Sequence, residues 1–258
     1  MHDQGMRAIE RMSVVITGGG SGIGEGTARW FAQRGARVTI CGRRPDKIAS
    51  VATSIGETCR AVVADVSIDA DRRSLVAAAV EHGGGIDLLV NNAGNMERGP
   101  LAELTQPGLE AVFLSNVIGP MLLTGLALPH LVERKGAVVF IGSVHTRRAF
   151  PGVAPYAATK GAIETLTGVL AAELGPQGVR VSCVRPGAVF TEINQRAGLL
   201  DDVAALARLQ GLALAHALGR IGTVEEVAEA IGYLACAEWT TGDVLTVDGG
   251  LSLGVTNA

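Results

Sequence analysis

The sequence predicts an α/β protein: one doubly wound domain whose seven-stranded, mostly parallel sheet carries helices on both faces. Short apolar segments with strand character recur along the chain, and segments with helical spacing lie between them. The strand segments are apolar throughout instead of alternating, which is typical of strands covered on both faces. No internal repeat, low-complexity tract or linker divides the 258 residues, so a single domain is expected.

The predicted elements alternate in chain order. The strands are Ser13–Thr17, Arg37–Cys41, Arg60–Ala64, Ile86–Val90, Ala137–Ile141, Val179–Val184 and Val244–Val247. The helices are Ile23–Arg34, one from Pro45, one around Leu75–Val80, Gln106–Glu133, Pro155–Leu174, Asp201–Leu218 and Glu225–Ala235. Residues 1–12 are polar and predicted to be a flexible extension, and residues 13–258 are predicted to form the domain.

Composition excludes some classes of partner. The formal net charge is -3, so there is no basic excess to neutralise nucleic-acid phosphates. No uninterrupted apolar run reaches the roughly 18 residues of a membrane span, so no membrane partner is predicted. Cys41, Cys59, Cys183 and Cys236 lie in apolar runs without metal-binding spacing. They are predicted to be reduced core cysteines of a cytoplasmic protein, with no metal site.

A glycine-rich segment joins the first predicted strand to the first helix. It reads Thr17-Gly18-Gly19-Gly20-Ser21-Gly22-Ile23-Gly24. Glycines allow backbone to approach a pyrophosphate, and a helix N-terminus offers free N–H groups to it. A tight strand-to-helix turn is the alternative, but the position favours a dinucleotide site of the Rossmann type. The candidate cofactor residues here are Gly18, Gly20, Ser21, Gly22, Ile23 and Gly24.

The end of the second predicted strand bears on which dinucleotide binds. Gly42 stands where an acidic residue would otherwise meet the ribose 2′-hydroxyl, and Arg43 and Arg44 follow it. Guanidinium groups pair well with a 2′-phosphate, which favours NADP(H) over NAD(H). The alternative is that both arginines are solvated loop residues.

Two further strand ends carry candidate cofactor residues. Asp65, followed by Val66, could accept from an adenine amino group or cap a helix beginning at Ile68. Small residues after the fourth strand would let a cofactor lie across the strand ends, although an Asn-rich turn is the alternative. These residues are Asn91, Asn92, Ala93 and Gly94.

Tyr156 and Lys160 are the candidate catalytic pair. Their four-residue spacing near a helix start puts them on one face, with Cβ atoms ~6 Å apart. An ammonium near a phenol lowers the phenol pKa from its usual ~10. Such a tyrosine can give a proton to a carbonyl oxygen or take one from an alcohol. A surface Tyr/Lys pair is the alternative, but this tyrosine is one of only two in the chain.

Two other polar residues complete the set. Ser143 ends the fifth predicted strand, at the edge where open α/β sheets bind ligands, and could hold a substrate oxygen or serve as a turn serine. Asn116 lies among apolar residues of a predicted helix, where a buried amide needs partners. It either bonds locally to backbone, which the residue alone favours, or holds water near Lys160.

Together these residues resemble the short-chain dehydrogenase/reductase family over about Ser13 to Gly250. The shared pieces, in order, are Thr17-Gly18-x-x-x-Gly22-x-Gly24, Asn91-Asn92-Ala93-Gly94, Asn116, Ser143, Tyr156-x-x-x-Lys160, Pro186-Gly187 and Val247-Asp248-Gly249-Gly250. The resemblance implies hydride transfer between NADP(H), or less readily NAD(H), and a carbonyl or secondary alcohol. It also implies a homotetramer that pairs the helices containing Asn116 and Tyr156 and the last strand.

The resemblance further implies residue roles. Tyr156 is the acid/base, Ser143 orients the carbonyl, Lys160 also holds the nicotinamide ribose, and Asn116 completes a water-linked proton relay. The nicotinamide end is contacted by Pro186, Gly187, Val189 and Thr191. Ser21 departs from the basic residue that many NADP(H)-preferring members place there.

The substrate is not written in the sequence. The lining is predicted to come from Asn95–Gly99, Val144–Val153 and Phe190–Gly211, the last as a mobile lid or as ordinary packing. His145, Arg147 and Arg148 could attract an acidic substrate, although a solvated loop is favoured. The alternatives to a dehydrogenase/reductase are a noncatalytic cofactor-binding scaffold or sensor, and an epimerase or dehydratase that retains its nicotinamide.

Overall fold

A computed structural model describes residues 6–191, 207 and 210–254. Its sheet has seven strands: β1 (Ser13–Thr17), β2 (Arg37–Gly42), β3 (Cys59–Val63), β4 (Leu88–Asn91), β5 (Ala137–Ile141), β6 (Arg180–Pro186) and β7 (Val244–Val247). Their order is β3-β2-β1-β4-β5-β6-β7, and every neighbouring pair is parallel. The predicted seven-stranded sheet is confirmed, and it is wholly parallel in the described residues.

Helices cover both faces of this sheet. They are α1 (Gly22–Ala32), α2 (Pro45–Ile55), α3 (Asp69–Gly83), α4 (Gln106–Phe113), α5 (Gly119–Arg134), α6 (Ala154–Leu174) and α7 (Val224–Cys236). One apolar core lies under α1, α2 and α7, and a second lies under α3, α5 and α6. Val14 and Val15 of β1 pack into opposite cores, which explains why the strands are apolar at successive positions.

The strand order fixes where a ligand can bind. The chain runs outward through β2 and β3 on one side of β1 and then returns to place β4 on the other side. Such a reversal opens a crevice beyond the carboxyl ends of the strands, and ligands of open α/β sheets bind there. The loops that follow β1, β4, β5 and β6 all begin at this edge.

The long helix predicted from Gln106 is present but changes its hydrogen bonding midway. Residues Leu114–Ile118 form a π-helical segment between α4 and α5, and the N–H of Gly119 donates to the carbonyl of Leu114. Pro120 follows and has no N–H to donate to the turn before it, which favours this irregularity. A Cβ at Gly119 would lie 2.6 Å from the Val66 carbonyl oxygen, so the segment packs directly on the loop after β3.

The helix predicted over Asp201–Leu218 is wrong for its described C-terminal part. Residues 213–215 form a single 3₁₀ turn, and His216 is extended. Backbone groups here bond to other loops instead of continuing a helix: the N–H of Leu218 donates to the carbonyl of Gly249. Residues 201–206 and 208–209 lie outside the described residues, as does most of the predicted lid.

Residues 6–12 of the predicted flexible extension are packed against the domain, which corrects the prediction for that part only. The N–H of Arg7 donates to the carbonyl of Cys236, and the guanidinium of Arg7 forms an ion pair with Asp87. Met12 is buried, and Ile9 packs against the core beneath α1 and α7. Residues 1–5 lie outside the described residues.

The structure modifies two predictions made from composition: that all four cysteines lie in the core, and that no segment is apolar enough to span a membrane. All four cysteines are free, but Cys59 is only half-buried, whereas the other three are buried. The helical stretch Gln106–Arg134 is long and apolar enough to span a membrane by length and composition, and half of its most apolar window is buried inside the protein. Among the described residues, no cluster of His, Cys, Asp and Glu could hold a metal ion.

Candidate active site

Most predicted site residues meet at the carboxyl edge of the sheet. A cavity of about 190 Å³ opens there. Predicted residues that line it are Gly18, Ser21, Gly22, Ile23, Asn92, Ala93, Gly94, Ser143, Tyr156, Lys160, Pro186, Gly187, Val189 and Thr191. A neighbouring cavity of about 100 Å³ is lined by Gly20, Arg43, Arg44, Asp65 and Val66. Gly18, Ser21, Ala93 and Gly94 border both cavities, so the two form one continuous groove.

The glycine segment is held against the loop after β4. Gly18 has a φ of +68°, and a Cβ there would lie 3.0 Å from Cα of Ala93. The side-chain amide of Asn92 donates to the carbonyl of Thr17 at 2.8 Å. The hydroxyl of Thr17 accepts from the N–H groups of Asn92 and Ala93 at 3.0 and 2.9 Å. Thr17 therefore fixes the loop after β1 and the loop after β4 relative to each other.

Asn91 is placed differently from its neighbours. It lines neither cavity, and its side-chain amide donates to the hydroxyl of Thr124 on α5 at 3.1 Å. The predicted direct contact between Asn91 and cofactor is therefore not supported by its position. Side chains alternate between the faces of a strand, and Asn91 is the last residue of β4, directed at a covering helix.

Three basic residues border the smaller cavity. Arg43 bonds Asn95 at 3.2 Å and lies 3.8 Å from the carboxylate of Asp65, while Arg44 bonds the hydroxyl of Ser21 at 3.3 Å. Lys47 in the first turn of α2 also lines this cavity, although sequence reasoning missed it. The available signal was that Lys47 falls in the first turn of the helix that directly follows Arg43 and Arg44.

Asp65 does not cap a helix. Its carboxylate accepts from the N–H and the hydroxyl of Ser67, at 2.9 and 2.6 Å, in an Asx-type turn. Helix α3 begins four residues later, at Asp69. The turn holds the other carboxylate oxygen toward Arg43, at the wall of the groove.

Tyr156 and Lys160 lie side by side on the first turns of α6. Both are buried, and Nζ of Lys160 lies 5.5 Å from the tyrosine ring centroid. The same Nζ donates to the carbonyl of Ile141 at 2.6 Å, which fixes the helix to the end of β5. The predicted pairing on one helix face is therefore present.

The pKa values of this pair differ from the sequence-based expectation. Burial raises the pKa of Tyr156 to about 12, against smaller opposing effects of a hydrogen bond to Ser143 and the charge of Arg98. Burial also lowers the pKa of Lys160 to about 8. Without cofactor, the phenol therefore holds its proton at neutral pH, and the predicted lowering of its pKa by Lys160 is absent.

Ser143 lies beside both Tyr156 and a histidine. Its hydroxyl lies 2.8 Å from Nδ1 of His145 and accepts from the N–H of that residue at 3.4 Å. The imidazole packs edge-on against the ring of Tyr156, with centroids 5.4 Å apart. His145 is therefore part of the site and not a solvated loop residue.

Asn116 sits in the π-helical segment, where its amide is fully used. Its Oδ1 accepts from the N–H of Asn95 at 2.8 Å and from the hydroxyl of Ser115 at 3.0 Å. Its Nδ2 donates to the carbonyl of Asn95 at 2.9 Å and to the hydroxyl of Thr159 at 3.1 Å. The bonds join the loop after β4 to α6, so the purely local role favoured by the sequence is wrong.

A largely buried ion pair joins α6 to β6. Glu164, one turn after Lys160, receives two hydrogen bonds from Arg185 at 2.7 and 2.8 Å. The hydroxyl of Thr146 lies 2.7 Å from the same carboxylate and 2.9 Å from the carbonyl of Ser143. Because Arg185 precedes Pro186, this pair fixes the segment that borders the cavity.

The wall beyond the polar centre is largely apolar. Two segments that were predicted to line the substrate site, Asn95–Gly99 and Val144–Val153, do border the cavity. The residues of these segments that line it are Met96, Arg98, Val144, His145, Phe150, Pro151 and Val153, and Leu212 and Leu251 line it as well. Arg148 does not line this cavity: it donates to the carbonyl of Leu251 at 2.9 Å and to that of Ala215 at 3.4 Å. It ties the loop after β5 to the C-terminal turn.

Comparison with known proteins identifies the family of this chain. Residues 18–252 match a family model described as enoyl-(acyl carrier protein) reductase. A short-chain dehydrogenase/reductase of Caenorhabditis elegans, solved with cofactor, superposes with a TM-score of 0.90 at 30% identity, covering 96% of this chain and 98% of its own. The chain belongs to the short-chain dehydrogenase/reductase family.

Relatives in this family show the reaction class. The L-fucose dehydrogenase of Oryctolagus cuniculus is 40% identical over 248 residues, 93% of this chain and 85% of the relative. The glucose 1-dehydrogenase of Gluconobacter oxydans is 35% identical, over 93% and 91%. A Brucella melitensis 3-ketoacyl-(acyl-carrier-protein) reductase complexed with NADH has a TM-score of 0.86 at 33% identity, over 95% and 99%. This short-chain dehydrogenase/reductase is an oxidoreductase acting on CH–OH or C=O groups.

Proposed function

We propose that the protein transfers a hydride between NADP(H) and a carbonyl or secondary alcohol, with Tyr156 as the general acid/base. The observation that carries the proposal is the placement of the phenol between Ser143 and Lys160 at the wall of the larger cavity. A fixed hydroxyl and a proton-holding phenol at one point of a cavity form a binding site for one substrate oxygen.

The groove fits a dinucleotide. A Cβ at Gly20 would lie 3.1 Å from Ile48, and one at Gly22 would lie 3.1 Å from Thr191, so glycine keeps the floor of the groove open. The first turn of α1 follows, with free backbone N–H groups. When bound, the nicotinamide supplies or accepts the hydride.

The residues of the chain handle the proton. In reduction, the hydroxyl of Ser143 and the phenol of Tyr156 hold the carbonyl oxygen, and the phenol gives its proton to that oxygen as negative charge develops. In oxidation, Tyr156 takes the alcohol proton. Lys160, fixed by the Ile141 carbonyl, lies close enough to stabilise the phenolate when it is charged. Asn116 holds the Asn95 loop and α6 together at the back of this centre.

Replacing the phenol tests this assignment. We expect Tyr156→Phe to keep cofactor affinity and lose kcat by at least ~100-fold, because proton transfer contributes at least that much. The measurement is the change in reduced-cofactor absorbance over a panel of carbonyls and alcohols, with cofactor binding measured by calorimetry.

Tyr233→Phe is the matched control. Tyr233 is the only other tyrosine and lies half-exposed on α7, so its variant should keep full activity. A folded Tyr156→Phe protein with nearly normal kcat would contradict the role of Tyr156. Cofactor binding without turnover on the whole panel would support a noncatalytic role instead.

We further propose that the enzyme is a cytoplasmic homotetramer that prefers NADP(H) over NAD(H). Arg43, Arg44 and Lys47 border the smaller cavity, where the adenosine end would lie if the nicotinamide lies beside Tyr156. Guanidinium and ammonium groups at that end support 2′-phosphate binding. Exposed apolar side chains on α5 and beside α7 support the tetramer.

A further inference from the structure

His145 is a polar group of the cavity wall that the mechanism above does not use. It lies in the 3₁₀ turn Val144–Thr146 that follows Ser143. One ring nitrogen, Nδ1, is 2.8 Å from the hydroxyl of Ser143, the group that would hold the reacting oxygen. His145 and Ser143 both line the cavity that contains Tyr156.

The orientation of the imidazole is fixed by its neighbours. Tyr156 meets it edge-on at 90°, and the ring of Phe150 lies 4.8 Å away on another side. Together with the contact to Ser143, these rings hold the imidazole against the reaction centre. A ligand in the cavity therefore meets a nitrogen that is already positioned.

The second ring nitrogen, Nε2, differs from Nδ1 in its hydrogen bonding. It has no hydrogen-bond partner among the described residues, and His145 is half-buried at the cavity wall. Burial and the nearby charges of Arg98 and Lys160 lower the pKa of His145 to about 4, so the ring is neutral near pH 7. A neutral imidazole has one donor and one acceptor nitrogen. If Nδ1 donates to Ser143, Nε2 can accept a hydrogen bond, and if Nδ1 accepts, Nε2 can donate one.

We propose that His145 is a specificity-determining residue that selects substrates with a second oxygen close to the reacting carbon, such as hydroxy ketones, vicinal diols and polyols. The proposal rests on the proposed function, since Ser143 and Tyr156 must hold the first oxygen. Nδ1 positions Ser143, and Nε2 of the same ring bonds the second oxygen. A substrate without that oxygen leaves Nε2 desolvated and unpaired, which disfavours it.

The first test compares two substrates of similar size, acetoin and 2-butanone, which differ in one hydroxyl. We expect wild-type kcat/KM to favour acetoin by about 3- to 10-fold, the range of one net hydrogen bond. In His145→Phe, which keeps a ring between Tyr156 and Phe150, the ratio should fall to about one. Arg147→Ala, an exposed residue two positions away, should keep the wild-type ratio.

The second test needs no turnover. The ¹⁵N signals of His145 are followed while each ketone is added to the enzyme–cofactor complex. We expect the Nε2 signal to move with acetoin and not with 2-butanone. Equal responses, no response, or an unchanged kcat/KM ratio in His145→Phe would overturn the proposal. A selective Nε2 response in a wild-type enzyme that turns over no member of the carbonyl and alcohol panel would instead contradict the proposed function and keep the assignment of His145.

Discussion

At the scale of single residues, burial places two titratable groups of the reaction centre in their uncharged forms over part of the accessible pH range. The pKa of Lys160 is lowered to about 8 and that of Tyr156 is raised to about 12, in both cases mainly by desolvation. The cofactor-free enzyme therefore does not contain a phenolate–ammonium pair at neutral pH. Because the pKa of Lys160 is about 8, its ammonium is still charged at pH 7, and burying that charge costs stability in the free protein.

Lys160→Met should therefore stabilise the cofactor-free protein at pH 7. The wild type buries an ammonium there, whereas methionine buries no charge. Above pH 8 the folded wild type releases a proton that the unfolded chain keeps up to its usual ~10.4, so wild-type stability gains with pH over this window. The advantage of the variant should shrink between pH 8 and pH 10.

The measurement is the difference in unfolding free energy between variant and wild type, from urea titrations at pH 7, 8, 9 and 10. Subtracting the wild-type value from the variant value at each pH cancels the contributions of cysteines and other groups that titrate in both proteins. A difference that is constant with pH would show that Lys160 keeps its charge in the folded protein. The same variant should lose activity and bind cofactor more weakly.

The cofactor preference also belongs to single side chains. Each charge-assisted hydrogen bond to a 2′-phosphate contributes ~1.5–3 kcal/mol before solvent exposure reduces it. We expect kcat/KM for NADPH to exceed that for NADH by about 10-fold, and Arg43→Ala and Lys47→Ala each to reduce this ratio severalfold. Arg73→Ala, an exposed arginine on α3, should leave the ratio unchanged. A wild-type ratio below one would mean that these basic residues are only solvated.

At the scale of elements, the contact between α1 and α7 is set by one glycine. A Cβ at Gly232 would collide with the six-membered ring of Trp30 on α1. Gly232→Ala should therefore destabilise the fold by about 1–3 kcal/mol through overpacking, although alanine favours helices. Chemical denaturation measures the loss. Glu229→Ala, exposed on the same helix, should change stability by less than about 0.5 kcal/mol, and equal stability of both variants would show that Trp30 moves aside freely.

The sequence predicted most elements because their periodicity is strong. All seven strands were found: three have the predicted bounds, and the ends of the other four shift by one or two residues. The helix over Asp201–Leu218 failed in its described C-terminal part, residues 211–218, because helical spacing did not reveal the competing tertiary bonds of Leu218 and Arg148. The π-helical segment was equally invisible, because its causes are one proline and one close contact with the loop after β3.

The site was predictable where residues form a motif and not where they meet only in space. The glycine segment, Ser143, Tyr156 and Lys160 follow strand ends or helix spacing, and the structure brings them together. His145 and Lys47 were missed or discounted because nothing in their spacing shows which way a loop or helix face points. The tyrosine pKa was mispredicted because burial, which the sequence does not show, outweighs the neighbouring charge.

At the scale of the whole molecule, the surface supports assembly. Met121 and Leu122 on α5 are each nearly half exposed, next to Leu114 and Ile118 of the π-helical segment. Trp239, which follows α7, is fully exposed. A contiguous apolar stripe on a helix and an exposed tryptophan are features of surfaces that associate.

We expect light scattering at micromolar concentration to give four times the monomer mass of 26.5 kDa. Leu122→Glu should lower the mass, because it places a charge on the proposed interface. Leu101→Glu, an equally apolar but strongly exposed residue of the loop after β4, should not. A monomeric wild type, or a Leu122→Glu protein with unchanged mass, would contradict this mode of assembly.

The π-helical segment between α4 and α5 has a consequence for how this chain tolerates insertions and deletions. A π turn holds one residue more than an α turn, so it offsets all later residues of the helix by about 100° relative to a continuous α-helix. Deleting one residue from 114–118 could restore regular hydrogen bonds without disturbing the sheet. The same deletion would rotate Asn116 away from Asn95 and Thr159, or turn the outer apolar residues of α5 inward. Single-residue length changes here should therefore be rejected although the helix itself could accommodate them.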